Sequence, residues 1–441
     1  MRELDGVLGV TIVFVDMNGI PRSRTVPAER LAEAAERGVG ITTLFSVFLS
    51  NDAITFDYEP LSTASGEVRL VATPERVVAL AGQPQFAWTP GRQFQEESGE
   101  RSPYCGRGVL ERTVERSAAA GLELRCGFEL EWFIGHAGEE LSPAHTGPVY
   151  SPHAMLAVDE FAAQVMADMA ANGIAVGQFH AEYGLAQMEL SIGAADPVTA
   201  ADLQLLARQT IHAAARAHGL RASFAPLVTM QSVGNGWHLH SSVLRDGRNL
   251  LAGGDGPNGM TAEGEAYVAG LLRELPALAA VAAPSMPSLL RRRPGYFASA
   301  FGFWGVQNRE AALRFVPAGA FVPETAANVE LKASDASGNP YLSVAAVIAA
   351  GLAGIEDGLT LPEPIQEEPG AWTDEERERR GVRRLPETVD DQVAAVTGSA
   401  PVRSALGDDL IGAWSAVRRG DAAAVQGMED EDVVAAHRWR Y

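Results

Sequence analysis

The chain has 441 residues, of which 46% are hydrophobic, and its 35 Lys and Arg against 56 Asp and Glu give a formal net charge of −21. This acidic balance opposes non-specific nucleic-acid binding and suits divalent cations or cationic small molecules. No uncharged apolar stretch reaches the ~18 residues that a membrane span requires, no secretory signal pattern is present, and Cys105 and Cys126 are the only cysteines. We therefore expect no nucleic-acid partner, no membrane association and a cytoplasmic location.

The first hundred residues predict a small mixed α/β domain. Residues 8–16, "LGVTIVFVD", are typical of a strand, Gly19 provides a turn, and a second strand and a helix follow. The polar, proline-bounded stretch at 90–104, "PGRQFQEESGERSPY", predicts a linker. Because the chain is longer than the size at which a single core stops growing, we predict two domains, at residues 1–97 and 98–441.

A helix at about 106–120 leads into the strand "GFELEWF" at 127–133. Alternate residues of a strand share a face, so its aromatic and leucine side chains line one face while Glu129 and Glu131 lie together on the other. Two such carboxylates repel unless both reach water, one is protonated, or a cation lies between them.

The same alternation recurs on three later strands. The segments "LAQMELS", "GWHLHSS" and "NVELKAS" carry the pairs Gln187 and Glu189, His238 and His240, and Glu330 and Lys332. Four strands that each present a polar pair to one face predict a sheet with a polar concave surface.

Candidate metal ligands on these segments are five glutamates and one histidine. The glutamates are Glu129, Glu131, Glu182, Glu189 and Glu330. Hard oxygen donors in this number favour Mg²⁺ or Mn²⁺, and so many carboxylates indicate more than one ion. The alternative for any single pair is a solvated strand face, and His240 taken alone fits a satisfied core histidine equally well.

Arginines form a second group of candidates. Arg291, Arg309 and Arg314 lie among aromatic and apolar residues in "LLRRRPGYF" and "WGVQNREAALRF", and guanidinium groups there suit bidentate capture of carboxylate or phosphate. Metals and arginines without a cysteine nucleophile favour phosphoryl transfer. The alternative is a solvated surface cluster. No phosphate-binding glycine loop of the common nucleotide folds occurs.

Five motifs together resemble the glutamine synthetase superfamily in order and approximate spacing. They are "GFELEWF", "HAEYGLAQMELS", "GNGWHLHSS", "RPGYFASAFGFWGVQNREAALRF" and "NVELKASDASGNPYL". The resemblance implies an α+β fold with an N-terminal β-grasp domain and a catalytic domain built on an antiparallel half-barrel sheet. It also implies an ATP-dependent ligase that activates glutamate as γ-glutamyl phosphate before an amine attacks. Family members form rings, commonly dodecamers, whose active sites lie between subunits.

The resemblance assigns roles residue by residue. Glu131, Glu182 and Glu189 resemble the ligands of the metal near glutamate, and Glu129, His238 and Glu330 those of the metal at the ATP phosphates. His240 and Ser242 fall at nucleotide contacts, Arg309 and Arg314 at phosphate contacts, Arg291 at the substrate carboxylate, and Gly234 at a backbone contact to glutamate.

Several positions depart from the family pattern. After "RPG" an ammonia-using enzyme carries a glutamate that closes over the site, whereas this chain has Tyr296 and Phe297; the acidic "DGSS" loop is also missing. Lys332 replaces an arginine and Val233 an asparagine. An alkyl amine gains binding energy from apolar walls, so we expect an organic amine, a polyamine or ethanolamine, in the pocket beside Phe297. Lys332 and Val233 fall at contacts to the acid substrate, so we expect glutamate to be held differently from the family pattern. The alternatives are an ordinary ammonia-using glutamine synthetase and a catalytically silent relative that binds nucleotide and metal.

Overall fold

Two large sheets organise the chain in the computed structural model, which describes residues 4–138 and 140–441. A third sheet has only two short strands, Phe301–Gly302 and Arg383–Arg384. The first sheet has six strands in the order β2-β1-β6-β4-β3, with β5 beside β6, and its β1 and β6 run parallel. Its elements are β1 Gly9–Val15, β2 Pro21–Pro27, α1 Leu31–Glu36, β3 Val39–Thr42, β4 Glu67–Ala72, β5 Val78–Ala79 and β6 Phe86–Gln95.

Strand β1 is buried on both faces, which explains its nearly continuous apolar sequence. Ile12 and Phe14 belong to a small core of the N-terminal sheet, whereas Val13 and Val15 belong to the main core of the chain. The N-terminal sheet is therefore packed against the second unit through one of its faces.

The predicted linker at 90–104 is wrong in its first half, because strand β6 continues through Pro90 to Gln95. Its polar side chains are held by neighbouring elements: Arg92 Nε lies 2.8 Å from Glu111 Oε1 on the next helix. At Gly91 a Cβ atom would meet Leu70 at 2.4 Å, so close packing requires glycine there. The domain boundary between residues 97 and 98 stays a prediction.

The second unit contains the remaining elements. They are α2 Gly106–Ala119, β7 Glu123–His136, α3 Pro152–Leu156, α4 Asp159–Ala171, β8 Val176–Ala181, β9 Gln187–Ile192, α5 Pro197–Ala217, β10 Leu220–Ser223, β11 Trp237–Arg245, β12 Arg248–Asn249, α6 Ala262–Arg273, α7 Leu275–Ala282, α8 Met286–Arg291, β13 Phe301–Gly302, β14 Trp304–Val306, β15 Leu313–Val316, β16 Asn328–Leu331, α9 Pro340–Glu356, α10 Asp374–Arg379, β17 Arg383–Arg384, α11 Val389–Gly398, α12 Ala400–Leu406, α13 Asp408–Ala424 and α14 Asp430–His437.

Nine of these strands form a sheet in the order β14-β15-β16-β11-β7-β9-β8, with β10 beside β7 and β12 beside β11. Its apolar face is buried: Phe128, Leu130 and Trp132 of β7 are almost wholly inaccessible, and Phe128 stacks on Trp237 of β11 with ring centroids 4.7 Å apart. Burial of such aromatic side chains contributes several kcal/mol each to folding. One-sided burial explains why apolar and polar residues alternate along these strands.

The predicted α+β fold with a curled half-barrel sheet is confirmed. Across residues 4–138 and 140–441, no helix is both long and apolar enough to cross a membrane.

Candidate active site

The four predicted polar pairs fall at four consecutive strands, β16, β11, β7 and β9, of the nine-stranded sheet, with Lys332 directly after the end of β16. Antiparallel register brings their members face to face across the strands. The facing pairs are Arg314 with Glu330, Glu330 with His240, Glu129 with His238, and Glu131 with Glu189. The polar groups therefore form one continuous surface opposite the apolar face.

Glu129, His238 and Glu330 form the first cluster. His238 Nδ1 lies 3.0 Å from Glu129 Oε2 and 3.2 Å from Glu330 Oε1, and one ligand atom from each residue lies within 4.8 Å of the others. These are the three residues that the family resemblance assigns to the metal at the ATP phosphates. Lys332 Nζ lies 3.4 Å and Arg314 Nη1 2.9 Å from the wholly buried Glu330 carboxylate.

A second cluster consists of His180, Glu182 and Glu189, whose ligand atoms also lie within 4.8 Å of one another. Sequence analysis assigned Glu131 to this set and missed His180. The signal was present, because His180 and Glu182 form a further polar pair two residues apart. The pair was not recognised because strand β8 ends at Ala181, so His180 lies on the strand and Glu182 lies outside it.

Glu131 links the two clusters. Its Oε1 lies 3.4 Å from His238 Nε2, while its Oε2 accepts hydrogen bonds from Gln187 Nε2 at 2.8 Å and from the backbone N–H of Gly236 at 2.7 Å. Gln187, named in the sequence only as half of a polar pair, thus orients this buried carboxylate. A hydrogen-bond partner of a metal-ligating side chain fixes the orientation of that side chain.

The carboxylates perturb one another strongly. Burial, together with repulsion from Glu131 and Glu129, raises the pKa of Glu189 to about 9. Burial also raises the pKa of Glu182. Burial likewise opposes ionisation of Glu129, but hydrogen bonds with His238 and His240 outweigh it and lower the pKa of that carboxyl. Protonation of Glu189 is therefore how the metal-free protein relieves the repulsion.

The donor set fits divalent metal ions. Carboxylate oxygens with one imidazole in each cluster are ligands that Mg²⁺ and Mn²⁺ accept, and cations between the carboxylates would replace the proton on Glu189. The two described free cysteines, Cys105 and Cys126, are buried away in the core, which disfavours a thiolate site.

The predicted arginines occupy three different environments. Arg314 pairs with Glu330 inside the first cluster. Arg309 is exposed and lies near enough to Tyr150 to oppose the rise in its pKa that burial and Glu182 cause. Arg291 is buried, donates to the backbone carbonyl of Ser334 at 3.0 Å and pairs with Asp335 at 3.4 Å. Arg309 and Arg314 therefore border the polar surface, Arg309 with an exposed side chain and Arg314 with one that is mostly buried against Glu330.

The other predicted contacts lie near the same surface. Gly234 sits against Arg291, and a Cβ atom there would meet the carbonyl oxygen of Pro226 at 2.1 Å, so the backbone approach requires glycine. His240 Nδ1 lies 2.9 Å from Asn328 Oδ1. Ser242 is buried and its hydroxyl donates to the carbonyl of Ala327, which makes it a structural contact in this state.

Exposed aromatic rings border the second cluster. Tyr150 donates to Glu182 Oε1 at 2.8 Å and stacks on His180 with ring centroids 6.0 Å apart. Phe297 is 52% exposed and meets the ring of Tyr183 edge-on at 5.9 Å. The position where an ammonia-using enzyme is expected to carry a glutamate thus presents an apolar ring.

Comparisons with known proteins agree with this geometry. The family model of the glutamine synthetase catalytic domain matches residues 103–434. The gamma-glutamylpolyamine synthetase of Streptomyces coelicolor is 46% identical over 440 residues, covering 99% of this chain and 94% of that protein. A crystal structure of a novel glutamine synthase homolog superposes with a TM-score of 0.87 at 30% identity over the whole of both chains. A structure of a GmaS/ADP complex superposes with a TM-score of 0.83 at 25% identity over 97% of both chains.

Proposed function

We propose that this chain, which belongs to the glutamine synthetase family and is an ATP-dependent glutamate–amine ligase, takes an organic amine of the polyamine class in place of ammonium. The observation that carries this proposal is Phe297, an exposed ring packed on Tyr183 at the border of the Glu182 cluster. An ammonium ion needs negative partners, whereas an alkylammonium ion also gains from aromatic faces. The Streptomyces coelicolor relative carries the name of a polyamine ligase.

The reaction joins the γ-carboxylate of glutamate to the amine in two steps. A glutamate γ-oxygen attacks the γ-phosphorus of ATP and ADP leaves; the amine nitrogen then attacks the acyl carbon of γ-glutamyl phosphate, loses a proton, and inorganic phosphate leaves. Two clusters would hold Mg²⁺ or Mn²⁺, which offset charge on the phosphate oxygens when bound. The first cluster consists of Glu129, His238 and Glu330. The second consists of Glu182 and Glu189, together with His180 or Glu131. Arg314 and Arg309 would bind phosphate oxygens.

The amine site centres on Glu182. Its carboxylate accepts a hydrogen bond from the hydroxyl of Tyr150 at 2.8 Å, and this acidic group supplies the negative partner that an ammonium group needs before it loses its proton and attacks as the free amine. The rings of Tyr150, Tyr183 and Phe297 would contact the first methylene groups of an alkylamine. These contacts favour an amine with a carbon chain.

A cavity of about 450 Å³ adjoins Glu182 and would receive the rest of a polyamine. Its lining includes His145, Thr229 and Gln231, and His145 is only 7% exposed, with the backbone of Gln187 as a weak partner. Burial lowers the pKa of His145, so its imidazole is neutral and able to accept a hydrogen bond from an amino group. The volume suits an extended diamine or triamine.

The test is phosphate release from ATP with Mg²⁺ and glutamate, across ammonium, ethanolamine, ethylamine, putrescine, spermidine and spermine, with mass detection of the product. Turnover with polyamines and little with ammonium supports the proposal. Turnover with ammonium alone would contradict the proposal and identify an ordinary glutamine synthetase. A preference for ethanolamine would contradict the assignment of a polyamine as the substrate. No turnover with any amine favours a silent relative that binds nucleotide and metal.

The tail cavity has its own test. His145→Phe fills the cavity, so KM for spermine should rise about tenfold or more while KM for ethylamine changes little. His153→Phe, at an exposed position, is the matched control. Equal effects of His145→Phe on both amines would contradict the role of this cavity.

We also propose that the chain assembles into a dodecameric ring whose active sites are shared between subunits. We propose a cytoplasmic location for this assembly. Light scattering on the purified protein measures the assembly. A monomer with full turnover would contradict sites shared between subunits.

A further inference from the structure

A cavity of about 500 Å³ lies between strands β1 and β2 of the N-terminal sheet and helix α5 of the second unit. Charged and apolar side chains line it together. They include Arg22, Arg208, Arg440, Leu80, Phe86 and Trp88. None of these residues belongs to the polar surface of the nine-stranded sheet, so the cavity is separate from the candidate active site.

Arg208 is the unusual group in this cavity. Arg208 is 2% exposed, and within residues 4–138 and 140–441 its hydrogen bonds are two long ones, from Nη1 to the carbonyls of Gly19 at 3.3 Å and Ala336 at 3.4 Å. Its Nε has no partner, and no carboxylate of the described residues lies within ion-pair distance. Burial lowers the pKa of Arg208 to about 10, the reverse of what an ion pair does. A buried charge without a counter-charge is costly, so this one is suited to an external anion.

Two more donors in the same lining lack partners. Arg22 uses Nε on Asp16 and Nη1 on Asp52, both at 2.8 Å, and leaves its buried Nη2 unpaired. The hydroxyl of the buried Tyr441 is also unpaired. Unsatisfied buried donors are rare, so two beside an unpaired guanidinium indicate that the cavity takes a ligand.

The charges in this region do not balance. Arg22 and Arg440 share Asp16 and Asp52 between them, because Arg440 Nη1 also lies 2.6 Å from Asp52 Oδ2. Arg208 has no carboxylate within ion-pair distance among the described residues, and its guanidinium carbon lies 5.4 Å from the centre of the Phe224 ring. Asp16 acts on Arg208 only from a longer distance and already pairs with Arg22. The apolar side chains of Phe86, Trp88 and Leu80 complete the wall, so the lining suits a negative head with a small apolar body.

We infer that this cavity binds a small organic anion, whose carboxylate or phosphate group is held by Arg208, Arg22 and Tyr441. Guanidinium groups bind both kinds of oxyanion through paired N–H donors. Arg22 belongs to the N-terminal sheet and Arg208 to helix α5, so a bound anion joins the two units through one ligand. Binding would therefore stabilise the packing of the N-terminal sheet against the second unit.

The test measures the midpoint of thermal unfolding of the full chain in EDTA, which limits phosphate binding at the metal clusters. Inorganic phosphate and straight-chain carboxylates from acetate to hexanoate are titrated against potassium chloride at equal ionic strength. A saturable rise with at least one probe is expected, and its chain-length dependence distinguishes a carboxylate with an apolar body from phosphate. No saturable rise with any probe overturns the inference.

Three variants complete the test. Arg208→Met should remove the saturable rise without lowering the anion-free midpoint, because it replaces an unpaired buried charge with an apolar side chain. Arg24→Gln, on strand β2 and outside the lining, should keep the rise. Should Arg208→Met fail to fold, Tyr441→Phe decides, since it removes only an unpaired hydroxyl; it should weaken the apparent affinity about tenfold. An unchanged affinity in Tyr441→Phe, or a rise retained in Arg208→Met, overturns the inference.

Discussion

The two faces of the nine-stranded sheet use the same strands for opposite purposes. On β7 the side chains of Phe128, Leu130 and Trp132 are buried against the helices, while Glu129 and Glu131 lie beside other carboxylates on the far face. The apolar face stabilises the fold through burial, and the polar face costs stability through like-charge repulsion. Comparing the faces separates residues kept for folding from residues kept for chemistry, and four predictions test that separation.

The largest expected effect is on activity and comes from the polar face. Glu189→Ala or Glu131→Ala should reduce turnover by more than ~100-fold. Removing a residue that only hydrogen-bonds to a metal ligand costs about 10- to 100-fold in activity, so removing a ligand itself should cost more. The fold should persist in Glu189→Ala, whereas Glu131→Ala also leaves Gln187 Nε2 and the backbone N–H of Gly236 without their acceptor and should cost some stability. Turnover with the best amine and Mn²⁺ binding by calorimetry measure the effect. Glu123→Gln, at an exposed position of the same strand, is the control, and full activity in Glu131→Ala would contradict the metal assignment.

The apolar face should give the opposite result. Trp132→Ala removes a wholly buried ring that stacks on Phe179 and should lower the free energy of unfolding by ~3–5 kcal/mol. Denaturant titration measures the loss. Phe321→Ala, at a 99% exposed position, should change stability little. If Trp132→Ala were as stable as the native chain, the sheet would not pack as described.

The pH dependence of stability gives a smaller effect. Because the pKa of Glu189 is raised to about 9, the metal-free folded chain keeps a proton that the unfolded chain has released. The contribution of Glu189 to the free energy of unfolding is therefore fully present below the pKa of the unfolded state, about 4.5. This contribution is lost as the pH rises through about 9. The unfolding midpoint of the metal-free protein should fall over this range, and Glu189→Gln or added Mg²⁺ should reduce the fall. An equal fall in Glu189→Gln would assign the effect to another group.

The smallest expected effect concerns the border of the polar face. Phe297→Glu restores the acidic side chain expected of ammonia-using relatives and should improve kcat/KM for ammonium several-fold while lowering that for polyamines. Phe321→Glu is the matched control. Unchanged preference between ammonium and spermine in Phe297→Glu would show that amine choice is made elsewhere.

Much of the sheet was predictable because its chemistry alternates with the strand period. The pairs on β7, β9, β11 and β16 all point to one face, as their spacing predicts. His180 was missed because its partner Glu182 lies beyond the end of strand β8. The linker was placed too early because polar residues of β6 are held by partners, such as Glu111, that the local sequence does not reveal.

The anion cavity shows where sequence reasoning stops. Arg22 and Arg208 lie far apart in the chain and meet only because the N-terminal sheet packs beside helix α5. No local period or motif marks either arginine, and a missing counter-charge is visible only once every neighbour has been placed. The family resemblance is equally silent on it.

The strand order has a consequence for synthesis of the chain. Glu129 is made early, but its partner Glu330 lies on β16, which reaches β7 only through β11. Most of the polypeptide must therefore leave the ribosome before the first cluster can close, and until then the edge of β11 that β16 covers is an unpaired template for other strands. A nascent chain stalled before residue 328 should consequently be the species that most needs a chaperone.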